Sequence, residues 1–438
     1  MIITNSLGSN YTAEDRTLAL KFLFQPWKWK NGPEIKLLKS EIATSASWRT
    51  RNDINIELFL KGRHAIYEAL RRLGIGQGDE VIVQAFTCVA VVQPILDLGA
   101  TPIYVDVAPK NLNPTLEQIK KSVTSKTKAI ILQHTLGYIN RENDKIVKWC
   151  HDRKIFVVQD LAHALGANTG WLDGNNGYEG KNSSYHPNTL NHLNHSLIFS
   201  FSQDKVIDGV SGGALVIARS PEFIEERRGN LDSKTDRHAP IVSGLAMTDI
   251  AKLLLYPIIT YLIRSTYDYK LGKIIHFCAK NLDFLPSPLD APAKPTALPN
   301  VLATLTLNQL KKFDTIISHR RNVALTYDRT LNSKFKLVAI NDIKNGSNLR
   351  YPIWVENRDE LEKKLTKHGY YLMDHWYDAP VSPTWVNNSE VKYIPGSCPN
   401  AENLSKHIFN LPTHINITEK EAEWLAKLVN TLMRSLMR

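Results

Sequence analysis

The chain has 438 residues, of which 43% are hydrophobic and 22% charged, and its formal net charge is +11. These values are typical of a globular protein that folds as two domains, or as one large domain with a smaller one. The four cysteines, at 88, 150, 278 and 398, form no CxxC pair, which argues against a disulfide framework or a zinc site. The lysines and arginines are spread along the chain without an aromatic-interleaved basic motif, so we expect no nucleic-acid partner.

The first 60 residues contain little apolar periodicity. Residues 1–50 are polar and irregular in pattern, lack the apolar core of a secretion signal, and are predicted to form an N-terminal arm of a cytoplasmic protein. A strand is predicted at 54–60, and a helix begins just after Gly62. A glycine at a helix start leaves backbone N–H groups free to bind a phosphate, although an ordinary strand-to-helix turn has the same pattern.

Strand and helix patterns alternate between residues 80 and 160. Strands are predicted at 80–86, 102–106, 129–133 and 155–160, and helices at 88–98, 116–123 and 141–153. Strands rich in Val and Ile that alternate with helices indicate a mostly parallel sheet with both faces covered. Ligands of such sheets bind at the carboxyl ends of the strands, and Asp160 stands at one such end.

The stretch 196–216 contains two short apolar runs around Lys205, which is followed by a glycine-rich turn. The pattern predicts two buried strands with the lysine in the turn between them. A lysine among apolar neighbours has a lowered pKa, and its neutral amine can attack a carbonyl to form a Schiff base. This window alone also fits a surface lysine in a turn. Asp160 and Lys205 both follow strand ends, so we expect one pocket to contain them.

The rest of the chain is less regular. Residues 168–195 are predicted to form a long exposed loop whose histidines, His186, His192 and His195, are solvated and bind no metal. The apolar run at 251–264 is too short to span a bilayer, which needs about 20 residues. We expect a buried or subunit-interface helix there, with a peripheral membrane contact through 253–263 as a minor alternative. Residues 290–297 are predicted to be a linker, followed by helices at 301–313, 317–331, 360–368 and 418–437 and a strand at 349–355.

Five stretches of the predicted large domain, in register, resemble the DegT/DnrJ/EryC1/StrS family of pyridoxal-phosphate enzymes, most of which are nucleotide-sugar aminotransferases. They are residues 62–70, 79–88, 98–106, 157–166 and 199–213, and shorter matches around 309, 377–380, 398–402 and 411 extend the similarity to the smaller domain. The resemblance implies the α/β architecture of PLP-dependent transferase fold type I. We therefore expect a large domain at 51–296 around a mostly parallel seven-stranded sheet and a small α+β domain at 297–438.

The resemblance also implies roles for individual residues. Lys205 matches the lysine that bonds the cofactor and moves the proton, and Asp160 matches the carboxylate that pairs with the pyridinium nitrogen. His163 matches a position near the cofactor ring and its 3-oxygen. Ser200 and the backbone around Gly62 and Arg63 match the phosphate cradle.

The chain departs from the family pattern in three places. Cys88 stands where an aromatic residue usually stacks on the cofactor ring, and Phe86 is the predicted substitute. The family's Gly-x-Asn-x-Arg stretch, which supplies groups to the partner subunit's site, is absent from 294–299. Residues 220–296 form a large insertion, so substrate specificity is expected to differ.

The expected function is transfer of an amino group from an amino acid, with glutamate as the first choice, to a keto-sugar carried on a nucleoside diphosphate. The product would serve surface polysaccharide synthesis, and the resemblance implies a homodimer. Two alternatives stay open. One is a sugar dehydratase of the same family, although those enzymes have His at the position of Lys205. The other is a non-catalytic scaffold or regulator that binds pyridoxal phosphate.

Overall fold

The computed structural model describes residues 2–45, 54–168, 195–218, 245–285, 294–373 and 375–436. A seven-stranded sheet forms its centre, and four of the six adjacent strand pairs are parallel. Gly213–Ala218 runs antiparallel to both of its neighbours. The order across the sheet is Ile54–Phe59, Gly213–Ala218, His195–Ser200, Phe156–Asp160, Thr127–Gln133, Glu80–Gln84 and Thr101–Val105. The predicted mostly parallel seven-stranded sheet is therefore confirmed.

Helices cover both faces of the sheet because successive strand residues point to opposite sides. In the strand Glu80–Gln84, Val81 and Val83 pack into one apolar cluster and Ile82 into another. The first cluster includes the helices Gly62–Arg72 and Val89–Asp97. The second includes Leu116–Ser122 and Asn143–His151. The buried apolar layers fix the strand register, and with it the positions of the residues at the strand ends.

The irregular structure predicted for residues 1–50 is wrong. Ile3–Thr4 is a short strand, Ala13–Leu23 and Glu34–Ser45 are helices, and Pro26–Lys28 is one 3₁₀ turn. Side chains from this segment, Tyr11, Phe22, Trp29 and Leu38 among them, are buried in one cluster with sheet and C-terminal residues. The sequence pattern concealed these helices because charged residues also occupy inward positions: Asp15 is buried and paired with Lys312 at 2.8 Å.

The described part of the insertion consists of two packed helices, Met247–Thr266 and Leu271–Asn281, joined by the 3₁₀ turn Tyr267–Tyr269. Leu253, Leu254 and Ile263 are buried, so the predicted buried helix is correct and these side chains are not available to a membrane. No helix in the described residues is both long and apolar enough to cross a bilayer.

The C-terminal third combines helices with a small antiparallel pair of strands, Arg350–Trp354 and Ile408–Pro412. Its helices are Asn300–Leu310, Phe313–Thr330, Ile340–Asn345, Arg358–Thr366, Pro399–His407 and Glu419–Leu436. Two further short strands join it to the rest: Tyr370–Tyr371 pairs with Ile3–Thr4, and Val381–Ser382 pairs with Thr87–Cys88. The domain boundaries at 50 and 296 stay predictions, and the predicted loop lies outside the described residues except for Asn168 and His195.

Candidate active site

The candidate residues converge because several elements end or begin at one edge of the sheet. Asp160 and Ser200 are the last residues of neighbouring parallel strands, and Lys205 lies in the turn that follows Ser200. Carboxyl ends of parallel strands meet at the same edge, where α/β sheets bind their ligands. A cavity of about 590 Å³ opens there. All seven predicted site residues line it: Gly62, Arg63, Cys88, Asp160, His163, Ser200 and Lys205.

The side chains of Lys205 and His163 lie in contact with each other inside this cavity. Lys205 Nζ lies 2.8 Å from His163 Nε2, and the Nδ1 atom of the same ring accepts a hydrogen bond from the Leu136 backbone N–H at 3.2 Å. A neutral imidazole that accepts at Nδ1 carries its proton on Nε2. His163 therefore donates to Lys205, which accepts only as a neutral amine.

The electrostatics of the two groups agree with this assignment. Burial lowers the pKa of the Lys205 amine. Burial, together with the positive charges of Lys205 and Arg350, lowers the pKa of His163 well below its usual value. Both groups are thus favoured in their neutral forms, and a neutral lysine is the form that attacks a carbonyl carbon.

Asp160 is a buried carboxyl group in the wall of the same cavity. Its side chain is 3% exposed and accepts a hydrogen bond from the Ala162 backbone N–H at 3.0 Å. Burial raises the pKa of Asp160, and the nearby Lys205 partly opposes that shift. A buried carboxyl of this kind is stabilised in its charged form when a cationic group is brought next to it.

The opposite part of the cavity contains an unusually close approach of backbone segments. Gly62 is the first residue of the helix Gly62–Arg72, and a Cβ on it would lie 3.2 Å from the Cβ of Ser200. A Cβ on Gly213 would lie 2.6 Å from the Lys61 carbonyl and from the Gly62 nitrogen. The two glycines let a helix N-terminus and the Ser200 hydroxyl lie side by side, which is an arrangement suited to a phosphate.

Gln203 is a buried side chain of the cavity wall whose polar atoms could contact a ligand. Its side chain is 1% exposed and lines the cavity, yet within the described parts of the chain neither amide atom has a hydrogen-bond partner. Buried amides without partners are rare in native structures, and the usual explanation is a missing ligand, ion or water. The cavity volume, the neutral lysine, the buried carboxyl and the backbone cradle together fit pyridoxal phosphate.

Trp376 is a residue of the cavity wall that no sequence motif indicates. Its ring stacks on His163 with centroids 4.9 Å apart and planes 5° apart, and Lys205 Nζ lies 4.4 Å from its centroid. Phe86, the predicted substitute for the missing stacking aromatic, is fully buried against Tyr377 and does not line the cavity. Trp376 lies in an irregular segment far along the chain, so only the tertiary fold could reveal its place.

Cys88 lies at the cavity wall, where its local role is to cap a helix. Its Sγ atom accepts a hydrogen bond from the Ala90 backbone N–H at 3.5 Å, at the start of the helix Val89–Asp97. Burial raises the pKa of the Cys88 thiol. The neutral thiol is a poor nucleophile, so the structure provides no sign of cysteine chemistry at this position.

Comparison with known proteins decides the family. The profile of the DegT/DnrJ/EryC1/StrS aminotransferase family matches residues 12–232 and 290–430. The chain belongs to this family. It is an aminotransferase, and its cofactor is pyridoxal phosphate. The match begins at residue 12 and includes 168–195. It therefore extends into two segments, 1–50 and 168–195, in which the sequence contains none of the family motifs named above. Between the two matched ranges, residues 233–289 are unmatched, and they lie inside the predicted insertion.

Three curated relatives cover most of the chain. A GDP-perosamine synthase of Escherichia coli O157:H7 is 25% identical over 84% of this chain and 83% of its own length. A pleiotropic regulatory protein of Geobacillus stearothermophilus is 25% identical over 92% and 90%. A dTDP-4-dehydro-2,3,6-trideoxy-D-glucose 4-aminotransferase of Saccharopolyspora spinosa is 23% identical over 83% and 81%.

The fold is shared with solved structures. A sugar aminotransferase of Streptococcus pneumoniae in its PMP form superposes with a TM-score of 0.68 and 19% identity, over 98% of this chain and 97% of that protein. The similarity therefore extends over the whole length of both chains, and it confirms the predicted fold class.

Proposed function

We propose that this aminotransferase moves an amino group from glutamate to a keto-sugar carried on a nucleoside diphosphate. The observation that carries the proposal is the buried Lys205 amine, held 2.8 Å from His163 inside the cavity that Asp160 also lines. The relatives named above include two enzymes of nucleotide-sugar amination, which supports the choice of acceptor. Pyridoxal phosphate supplies the electron sink of the reaction when it is bound.

Each residue of the candidate site has a separate proposed role in the reaction. Lys205 Nζ would hold the cofactor and, when free, would carry the proton between the substrate carbon and the cofactor carbon that exchange the amino group. His163 orients Nζ through its Nε2 proton, and Asp160 holds a positive charge on the cofactor's ring nitrogen. The backbone at Gly62 and Arg63 and the hydroxyl of Ser200 bind the phosphate group.

Three further parts of the proposal concern the setting of the reaction. We place the enzyme in the cytoplasm, and its four cysteines are free thiols, as is usual in reducing compartments. We propose a homodimer on the basis of the family resemblance. The amino sugar produced would serve surface polysaccharide synthesis.

The first test is an absorbance spectrum of the purified protein with pyridoxal phosphate, recorded before and after glutamate is added. We expect a visible band of the lysine-bound cofactor that disappears with glutamate, and no such band for Lys205→Ala. Addition of dTDP-4-dehydro-2,3,6-trideoxy-D-glucose should then restore the band in the wild type. A band that persists after addition of glutamate, and of every other amino acid tested, would contradict the proposed donor reaction.

A regulatory role is the second candidate, and the relative named as a pleiotropic regulatory protein favours it. In that case the visible band would form without turnover on any keto-sugar, and Lys205→Ala would leave the cellular role intact. The dehydratase alternative has less support, since Lys205 stands where those enzymes have His. The same spectra therefore separate an aminotransferase from a regulator that turns over no keto-sugar.

A further inference from the structure

The residues that the family profile does not match form one wall of the catalytic cavity. The profile omits 233–289, and the described part of this insertion comprises the helices Met247–Thr266 and Leu271–Asn281. Four of its residues line the cavity: Tyr256, His276, Lys280 and Leu285. The cavity is therefore lined both by residues inside the ranges that the family profile matches and by residues between those ranges.

The wall is held firmly in place. Thr260 contacts Gly8 so closely that a Cβ on the glycine would lie 2.1 Å from the threonine hydroxyl oxygen. Arg264 donates a hydrogen bond to the Gly8 carbonyl at 3.2 Å. Lys252 pairs with Asp283 at 2.5 Å and so joins the first helix to the residues that follow the second. His276 and Lys280 lie on the second helix, which packs against the anchored first one.

Lys280 is a cationic residue of the cavity wall that has no proposed role in binding the cofactor. Lys205 bonds the cofactor, and Lys61 and Arg63 flank the helix start assigned to its phosphate. Lys280 is exposed at the rim, and across the described ranges no carboxylate forms an ion pair with it. His276 lies one helical turn earlier, and both its burial and the charge of Lys280 lower the pKa of its imidazole. A neutral imidazole next to an ammonium group offers a hydrogen-bond donor beside a positive charge.

We propose that Lys280 and His276 form the binding site for the diphosphate group of the acceptor substrate. The inference rests on the proposed function. An amino acid and a nucleotide sugar both carry anionic groups, but at different distances from the reacting atom. The carboxylate of the donor is attached to the reacting carbon and stays near Lys205. A diphosphate is separated from that carbon by a sugar ring, so it reaches outward toward the exposed rim where Lys280 lies.

The test compares two lysines of the same helix. Lys280→Ala removes the charge that lines the cavity, whereas Lys273→Ala removes one seven residues earlier that lies outside the cavity. Binding of GDP, UDP and dTDP to the holoenzyme is measured by calorimetry. We expect Lys280→Ala to raise the Kd of the preferred nucleotide about tenfold or more, because a charge-assisted contact is lost. We expect Lys273→Ala to leave it within about twofold, as is usual for exposed charges.

The glutamate half-reaction provides the second arm of the experiment. Its rate should be the same in wild type, Lys280→Ala and Lys273→Ala, and Lys280→Arg should bind the nucleotide nearly as well as wild type. A loss confined to the glutamate reaction would overturn the diphosphate assignment in favour of the donor carboxylate. Equal nucleotide binding by wild type and Lys280→Ala would overturn this inference alone. A wild-type holoenzyme that binds none of the three nucleotides would contradict the proposed acceptor class and the inference with it.

Discussion

Replacing Gly213 with alanine tests the phosphate cradle directly. The new Cβ would lie 2.6 Å from the Lys61 carbonyl and the Gly62 nitrogen, and all of these neighbours are backbone atoms. An ordinary contact begins at 3.4 Å, so the strand and the helix start must move apart by about 0.8 Å in a tightly packed region. Overpacking of this kind costs about 1–3 kcal/mol of the free energy of unfolding.

The same displacement moves the N–H groups of the helix start away from the phosphate. Loss of one hydrogen bond to a charged group is worth about 1.5–3 kcal/mol, and each 1.4 kcal/mol or so changes a Kd tenfold. We therefore expect the Kd for pyridoxal phosphate, measured by titration of the visible band, to rise at least about tenfold in Gly213→Ala.

Gly76→Ala is the matched control, because a Cβ there meets only the Leu98 carbonyl at an ordinary 3.7 Å. We expect it to bind the cofactor and to unfold as the wild type does. If Gly213→Ala kept the wild-type Kd, the helix start at Gly62 would not be the phosphate site. If it also kept the wild-type stability, the close approach of strand and helix would itself be refuted.

Two further predictions concern stability. Lys312→Met should lower the free energy of unfolding by about 3–5 kcal/mol, because it leaves the buried Asp15 carboxylate without its cation. The control Lys120→Met breaks an exposed ion pair and should leave the urea denaturation curve unchanged. Equal effects of the two substitutions would contradict the argument. Burial raises the pKa of Asp208 to about 6, so its protonated form favours folding and this contribution is lost as the pH rises from about 4 to 6. The stability of wild type relative to Asp208→Asn should fall across that window by up to about 3 kcal/mol, and a parallel pH dependence of the two proteins in urea denaturation would exclude this role for Asp208.

The central sheet was predictable because its signal is local. Runs of Val, Ile and Leu such as 81–83 and 130–132 are buried on both faces, and a short apolar run between turn residues is sufficient to predict a strand of this kind. The places of Asp160 and Gly62 followed from the same signal, since Asp160 ends a strand and Gly62 begins a helix, whereas Ser200 was indicated only by the family resemblance. Residues at element ends are positioned by the periodic segments that precede or follow them.

Other features depended on contacts between distant parts of the chain. Trp376 reaches His163 from an irregular segment more than 200 residues away, and no sequence pattern in that segment indicates a site. The N-terminal helices were missed because a buried ion pair satisfies Asp15, so the polar pattern of this segment did not indicate exposure. Lys280 could not be predicted as a cavity residue either, because a lysine on a helix is usually solvated.

The cavity is lined by residues of the N-terminal segment and of the C-terminal third, and this determines when the cavity can form during biosynthesis. Ser6 and Leu7 line it together with Trp376 and Tyr377, and the strand Ile3–Thr4 is held by pairing with Tyr370–Tyr371. At ordinary translation rates of about 5–20 residues per second, the first residues wait on the order of tens of seconds for these partners. A nascent chain that ends before these residues therefore lacks part of the cavity wall.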